Sequence, residues 1–418
     1  MSERPVIDLL LEGILNGDDR IFETVAETRA MECLDIRALI STTTSNAIDL
    51  DLGLGLQPCE YVIPIFEGPR AWLMSRHTAV QSRLENGRSL VMLDYSLGFD
   101  SNFADKLKAL INGRNVGQAD RDRVTAVLKL KAINPRVQFD VVPFLCENTR
   151  LDRDDSDNNR PLETLIAFYM LDHLDWPAFL ADSTQFKFDT DIGELRRRLR
   201  PKAENVLSSL HSSSEVLIQE ARAMGTQALL LRFAALWQTH KGDRKLVLRD
   251  LLDFSIFELG ALQITELTLI WRGTLEKQVM PFFGPLINPS VKTLKSSRGM
   301  AWDLTHLRSL QDTARKSAYG SFFIPYFVSL DERWRDLLRL NPIKIMMIDD
   351  ARRAICFGRS MEVEFQFLIN QVMSDHAKAE MTPTKVQERR LAARSLDRHA
   401  METLLEKEKR TWASNLAK

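Results

Sequence analysis

Cysteine is scarce in this chain and never paired at metal-binding spacing. Cys33, Cys59, Cys146 and Cys356 stand alone. That excludes a C-x-x-C zinc or redox motif and suits a reducing compartment. Net charge is nearly absent as well: 56 basic residues face 57 acidic ones, for a balance of −1. Nothing global advertises a polyanionic partner, so any basic surface has to be local. No run of 18 apolar residues is available to cross a membrane. The stretch Met1 to Gly13 carries Glu3 and Asp8 and lacks a basic segment before a long apolar core. The expectation is therefore no signal peptide and a cytoplasmic location. There is no G-x-x-x-x-G-K-[ST] phosphate loop and no nucleophile elbow, and Gly53-Leu54-Gly55 is too little for a nucleotide site. No repeat recurs at a fixed period.

What remains is an ordinary globular composition, 44% hydrophobic and 27% charged over 418 residues, enough for a large core and two or three substructures. Short apolar runs of strand length are expected at 61–66, 89–99, 140–145, 322–330 and 343–348. Helical patterns separate them, including Arg70 to Asn86, Phe103 to Ile111 and residues 120–133. The polar segment Arg150 to Arg160 reads as an exposed loop. From Pro161 to about Leu286 the chain is helix-dominated, with Phe254 to Leu275 read as one long helix and Lys292 to Arg298 as a flexible basic lead-in. Few short strands separated by helices predict an α/β fold with a small parallel sheet. A large all-helical insertion divides it, and a helical C-terminal arm follows. The expected organisation is an N-terminal α/β segment (1–87), a first half-core (88–160), the helical insertion (161–298), a second half-core (299–358) and a charged arm (359–418) that is solvated or docks a partner.

Acids stand where such a fold binds ligands. Carboxylates at the carboxyl ends of strands sit in the crevice that α/β sheets use. Asp94 or Asp100 follows the strand expected at 89–99, Glu147 follows 140–145, and Asp331 follows 322–330. Asp303 lies on a helical face with Leu307, Leu310 and Ala314. A carboxylate on an apolar face costs several kcal/mol unless a cation neutralises it. Either Mg²⁺ or Mn²⁺, which prefer oxygen ligands, or a structural Arg or Lys would serve. Asp349-Asp350 ends a further strand but has a ready role as a cap or turn.

The order of these acids carries a resemblance. Asp100-Ser101-Asn102-Phe103, and also Asp94-Tyr95-Ser96, match an acid at the end of a first strand. Val142-Pro143-Phe144-Leu145-Cys146-Glu147-Asn148 gives a glutamate after a short proline-containing apolar segment. Trp302-Asp303-Leu304-Thr305-His306-Leu307 gives an acid on a late helix, and Ser329-Leu330-Asp331-Glu332-Arg333-Trp334 an acid leading from a strand into a helix. This set resembles the PIN-domain family of metal-dependent ribonucleases over roughly 88–150 and 299–350, under a third of the chain. The resemblance implies hydrolysis of a phosphodiester by water activated on Mg²⁺ or Mn²⁺. Asp100, Glu147, Asp303 and Asp331 would be catalytic, with Asp94 as a further metal ligand. Ser101, Asn102, His306 and Arg333 would contact the substrate, a nucleic acid with RNA ahead of DNA. A toxin-like or phage-defence role is associated with such nucleases. The chain departs from the pattern in length, since some 150 residues separate Glu147 from Asp303.

Two other readings compete. A non-enzymatic helical interaction protein would use the helical block and the C-terminal arm for a protein partner or self-association, with each acid paired to an Arg or Lys. A metal-free HEPN-type ribonuclease would use Arg394 and His399, an Arg-x4-His spacing echoed more loosely by Arg70 to His77.

Overall fold

The structure, a computed structural model, describes residues 5–18, 20–50, 59–78, 80, 93–134, 137–154, 158–277, 280–314, 322–392 and 397–416. It is a mixed α/β fold with two small sheets flanked by helices. The strands are β1 (Ile36–Thr42), β2 (Ile48–Asp49), β3 (Val62–Pro64), β4 (Arg70–Met74), β5 (Leu93–Phe99), β6 (Val137–Asp140), β7 (Phe322–Val328), β8 (Ile343–Asp349) and β9 (Ala354–Arg359).

One sheet has the order β3-β7-β5-β6. In it β5 pairs parallel with both β6 and β7, and β3 pairs antiparallel with β7. β7 is buried throughout, as expected of a strand covered on both faces. The chain goes from β5 to β6 on one side and then to β7 on the other. The carboxyl ends of β5 and β7 thus flank the switch point at which open α/β sheets form a ligand crevice. Phe99 pairs with Val328, so Asp100 and Ser329 follow two neighbouring strand ends in register.

The second sheet has the order β2-β4-β1-β8-β9 and all its pairings are antiparallel. The strand at 343–348, expected beside 322–330 in the parallel sheet, lies here instead, paired to β1 and β9. Helix Val6–Leu15 covers this sheet through Val6, Ile7 and Leu10, packed on Ile36, Ala38, Ile345 and Met347.

Several expected elements differ. Residues 70–74, read as the start of a helix, form β4, because Ala71 points into the core and its neighbours alternate outward. Residues 81–92 lie outside the described residues. The strand expected at 140–145 ends at Asp140. Val142 opens a helix to Asp154, with Pro143 in its first turn, where a missing N–H costs nothing. That helix also takes up part of the loop expected from Arg150. The helix expected over Phe254 to Leu275 is two, Arg244–Phe257 and Ile264–Leu275, broken where Gly260 adopts φ +67. The segment from Lys292, expected to be flexible, is helical from Thr293 to Thr313.

The charged arm is not a solvated helix. Helix Arg398–Leu416 lies along helix Ser214–Thr239 and buries Met401, Leu404, Leu405 and Trp412. Arg232 clamps it by a 2.7 Å bond to the buried Glu408. Trp412 is only 3% exposed. Trp412→Ala is therefore expected to cost about 3–5 kcal/mol of stability, read by urea denaturation. A dispensable arm would show no change.

Candidate functional site

The crevice is built at two strand ends. Asp100 follows the end of β5 and caps helix Ser101–Ile111, its Oδ1 accepting from the Phe103 N–H at 2.7 Å. Its Oδ2 accepts from the Ser329 hydroxyl at 2.6 Å. That hydroxyl accepts in turn from the Asp331 N–H at 3.0 Å. Asp331 caps helix Glu332–Leu338, with Oδ1 accepting from the Arg333 N–H at 2.9 Å. Ser329 is fully buried and so stitches the two acid-bearing turns together. Nothing local in the sequence signals its bond to Asp100, 229 residues away.

Glu147 enters from helix Val142–Asp154. It accepts from the Ser101 hydroxyl at 2.5 Å. The Asn148 amide donates to Ser101 Oγ at 3.0 Å, and the Arg160 guanidinium donates to Asn148 Oδ1 at 2.7 Å. Arg160 is itself held by Asp105 at 2.6 Å. Arg160 and Asp105 leave no sequence signal, because no local pattern links residues 55 positions apart. The His306 imidazole Nε2 stands 3.5 Å from Glu147 Oε2, close enough for charge but long for a hydrogen bond. His306 is 2% exposed and flanked by the rings of Trp302 and Phe327, so it is a buried neighbour of the acids and no direct surface contact.

Asp303 faces this group from helix Thr293–Thr313. Burial pushes its carboxyl well above the usual carboxylate range, and repulsion from Glu147, Asp100 and Asp331 adds to the push. Burial likewise raises Asp100, to about 6, against the lowering effect of Ser329 and Phe103. For Glu147 burial acts upward too, but His306, Ser101 and Arg160 outweigh it and hold the carboxyl below its usual range. The structure thus brings Asp100, Glu147, Asp303 and Asp331 into one electrostatic group, from four separate elements. Among the described residues neither Asp100 nor Asp303 has a bonded Arg or Lys. Nor do any three His, Cys, Asp or Glu side chains converge tightly enough, as they stand, to ligate one ion directly.

The remaining expected residues fall elsewhere. Asp94 is at the amino end of β5, opposite Phe323 in register and roughly 20 Å along the strand from Asp100. It cannot share an ion with the group. Asn102 and Arg333 are exposed on the first turns of their helices. Asp349 and Asp350 are occupied by Arg352 and Arg37. Arg394 lies outside the described residues, and His399 is exposed. Arg70 is in β4, so it shares no helix with His77. No protein-family model matches the chain, and no curated protein or solved structure matches it.

The raised carboxyls set a pH dependence. A group whose folded pKa is raised lends stability that is complete below its unfolded value and lost as pH climbs through the folded value. For Asp100 that window runs from 3.8 to about 6, worth ~3 kcal/mol. Asp303 acts in the same sense, and Glu147 in the opposite one, losing stability as pH falls. In chelator, Asp303→Asn is expected to raise the melting temperature by a few degrees at pH 8 and to have little effect at pH 4. A lower melting temperature at pH 8 would contradict the electrostatic description.

Proposed function

We propose that the chain is a metal-dependent nuclease, PIN-like in its chemistry, that hydrolyses phosphodiesters in nucleic acid, with RNA ahead of DNA. The observation that carries this reading is the group of four acids at the sheet's switch point, where Asp303 is kept beside Glu147, Asp100 and Asp331 with no bonded basic side chain among the described residues. Such an arrangement is costly unless a proton or a cation relieves it.

The donor set fits Mg²⁺ or Mn²⁺. It is all hard oxygen, and Mg²⁺ commonly keeps several waters while binding through one or two carboxylates. A group too open for direct ligation by three side chains is compatible with that mode. Asp303 and Glu147 would hold the ion, with Asp100 and Asp331 completing its surroundings. When bound, the ion would supply positive charge to the phosphoryl oxygens and acidify the attacking water.

The chain's own groups have separable parts to play. Ser101 and His306 keep Glu147 ionised and fixed in direction. Ser329 keeps the Asp100 and Asp331 turns at a constant separation. Asp331, exposed at the rim, is the acid best placed to meet substrate or solvent. No side-chain nucleophile is required.

The test is cleavage of labelled single-stranded RNA and DNA in Mn²⁺ or Mg²⁺. Asp303→Asn and Glu147→Gln should each lower the rate by at least two to three orders of magnitude, as expected when charge stabilisation at the transition state is lost. Asp94→Asn should leave it unchanged. Full activity in excess chelator would overturn the proposal.

A further inference from the structure

Next to the acid group lies a cleft of about 370 Å³ that includes Glu147 in its wall. Helices Ser214–Thr239, Thr293–Thr313 and Arg398–Leu416 enclose it, with Met224, Leu294 and Leu405 as apolar lining. Three cations border it: Lys295, Arg298 and Lys409. Lys295, Arg298 and Trp302 are spaced three and four residues apart, so they form one stripe along their helix. The stripe leads toward Asp303, which is about 12 Å along the axis from Lys295.

The charge of this cleft differs from that of the chain. Its other acid, Glu220, is buried and answered by Arg398 at 3.0 Å. Lys409 bonds Glu406 at 2.7 Å within its own exposed helix turn. Such a bridge is worth little and yields to a better anion. A chain with net charge −1 thus sets three cations along a cleft that has Glu147, one of the four acids, in its wall. This arrangement suits a substrate whose anionic backbone is gripped over several units and cut at one.

We propose that this cleft binds single-stranded nucleic acid, with Lys295, Arg298 and Lys409 gripping phosphates beside the scissile one, so that the C-terminal helix is part of the substrate site. The proposal rests on the nuclease reading of the acid group. The volume is at the low end for ligand sites. A cationic groove that tracks the backbone is the general means of holding single strands without reading sequence.

The experiment measures binding of a fluorescent single-stranded RNA oligonucleotide over a salt series, with DNA of the same sequence as a second arm. The proteins are wild type, the triple variant Lys295→Gln/Arg298→Gln/Lys409→Gln, and the double variant Lys295→Gln/Lys409→Gln, which spares the half-buried Arg298. A control carries Lys129→Gln/Lys187→Gln/Lys202→Gln, three exposed lysines outside the cleft. The triple variant should bind at least tenfold more weakly. Its slope of log affinity against log salt should fall by about 2, the value for three phosphate contacts on a single strand. The double variant should show a smaller loss in the same direction. The Mn²⁺-induced rise in melting temperature should be as large in the variants as in wild type, which separates the grip from the acid group. Wild-type affinity in the triple variant, an equal loss in the control, or a duplex bound as tightly as the single strand would overturn the proposal. If wild type shows neither an Mn²⁺ shift nor cleavage while the triple variant still loses binding, the cleft stands and the nuclease reading falls.

Discussion

Burial and like charge raise the carboxyls of Asp303 and Asp100 beside Glu147, and much of the fold near them can be read as the means of holding these acids in one neighbourhood. Asp303 bears the clearest sign, since burial and three like charges keep its carboxyl far above the usual range. The constraint begins with the parallel pairing of β5 and β7, which ends two strands side by side and delivers Asp100 and Ser329 in register. Ser329 then uses one hydroxyl to bond both acid-bearing turns. A polar group so fully buried and bonded fixes geometry more than it adds net stability.

A second layer fixes Glu147. The chain Asp105–Arg160–Asn148–Ser101 reaches it through side chains of three helices, and His306 closes on its other side. Helix Thr293–Thr313 connects these parts, carrying Asp303 and His306 at the acids, Trp302 in the wall of the cleft and Lys295 and Arg298 at its border. The C-terminal helix completes that cleft and is anchored by Trp412 and the Arg232–Glu408 bond. Site and scaffold therefore share elements that are far apart in the sequence.

The positions of Asp100 and Asp331 in the candidate site are legible in the sequence because strand ends and helix caps leave local signals. Asp100 and Asp331 each follow an apolar run and open a helix, which is the signature of both a cap and a crevice residue. Glu147 does not follow a strand: residues expected to be extended over 140–145 turn helical at Val142, with Pro143 in the helix's first turn. Asp94 has a sequence context that resembles that of Asp100, but the five strand residues between them, Tyr95 to Phe99, separate their side chains widely. The second sheet was illegible because its partners, β1, β4, β8 and β9, come from opposite ends of the chain, and pairing across such separation leaves no periodic trace. The burial of the C-terminal helix did leave one. Met401, Leu404, Leu405 and Trp412 recur at helical spacing, but the dense charges around them made the stripe look narrow.

The central claim is that the four acids act as one cation site. Titration of Mn²⁺ into the metal-free protein, followed by electron paramagnetic resonance of the unbound ion, addresses it most directly. The account predicts at least one ion bound per wild-type chain, with Asp303→Asn and Glu147→Gln each weakening binding severely and Asp94→Asn leaving it intact. A wild-type protein that binds no Mn²⁺, or variants that bind it as wild type does, would contradict the account.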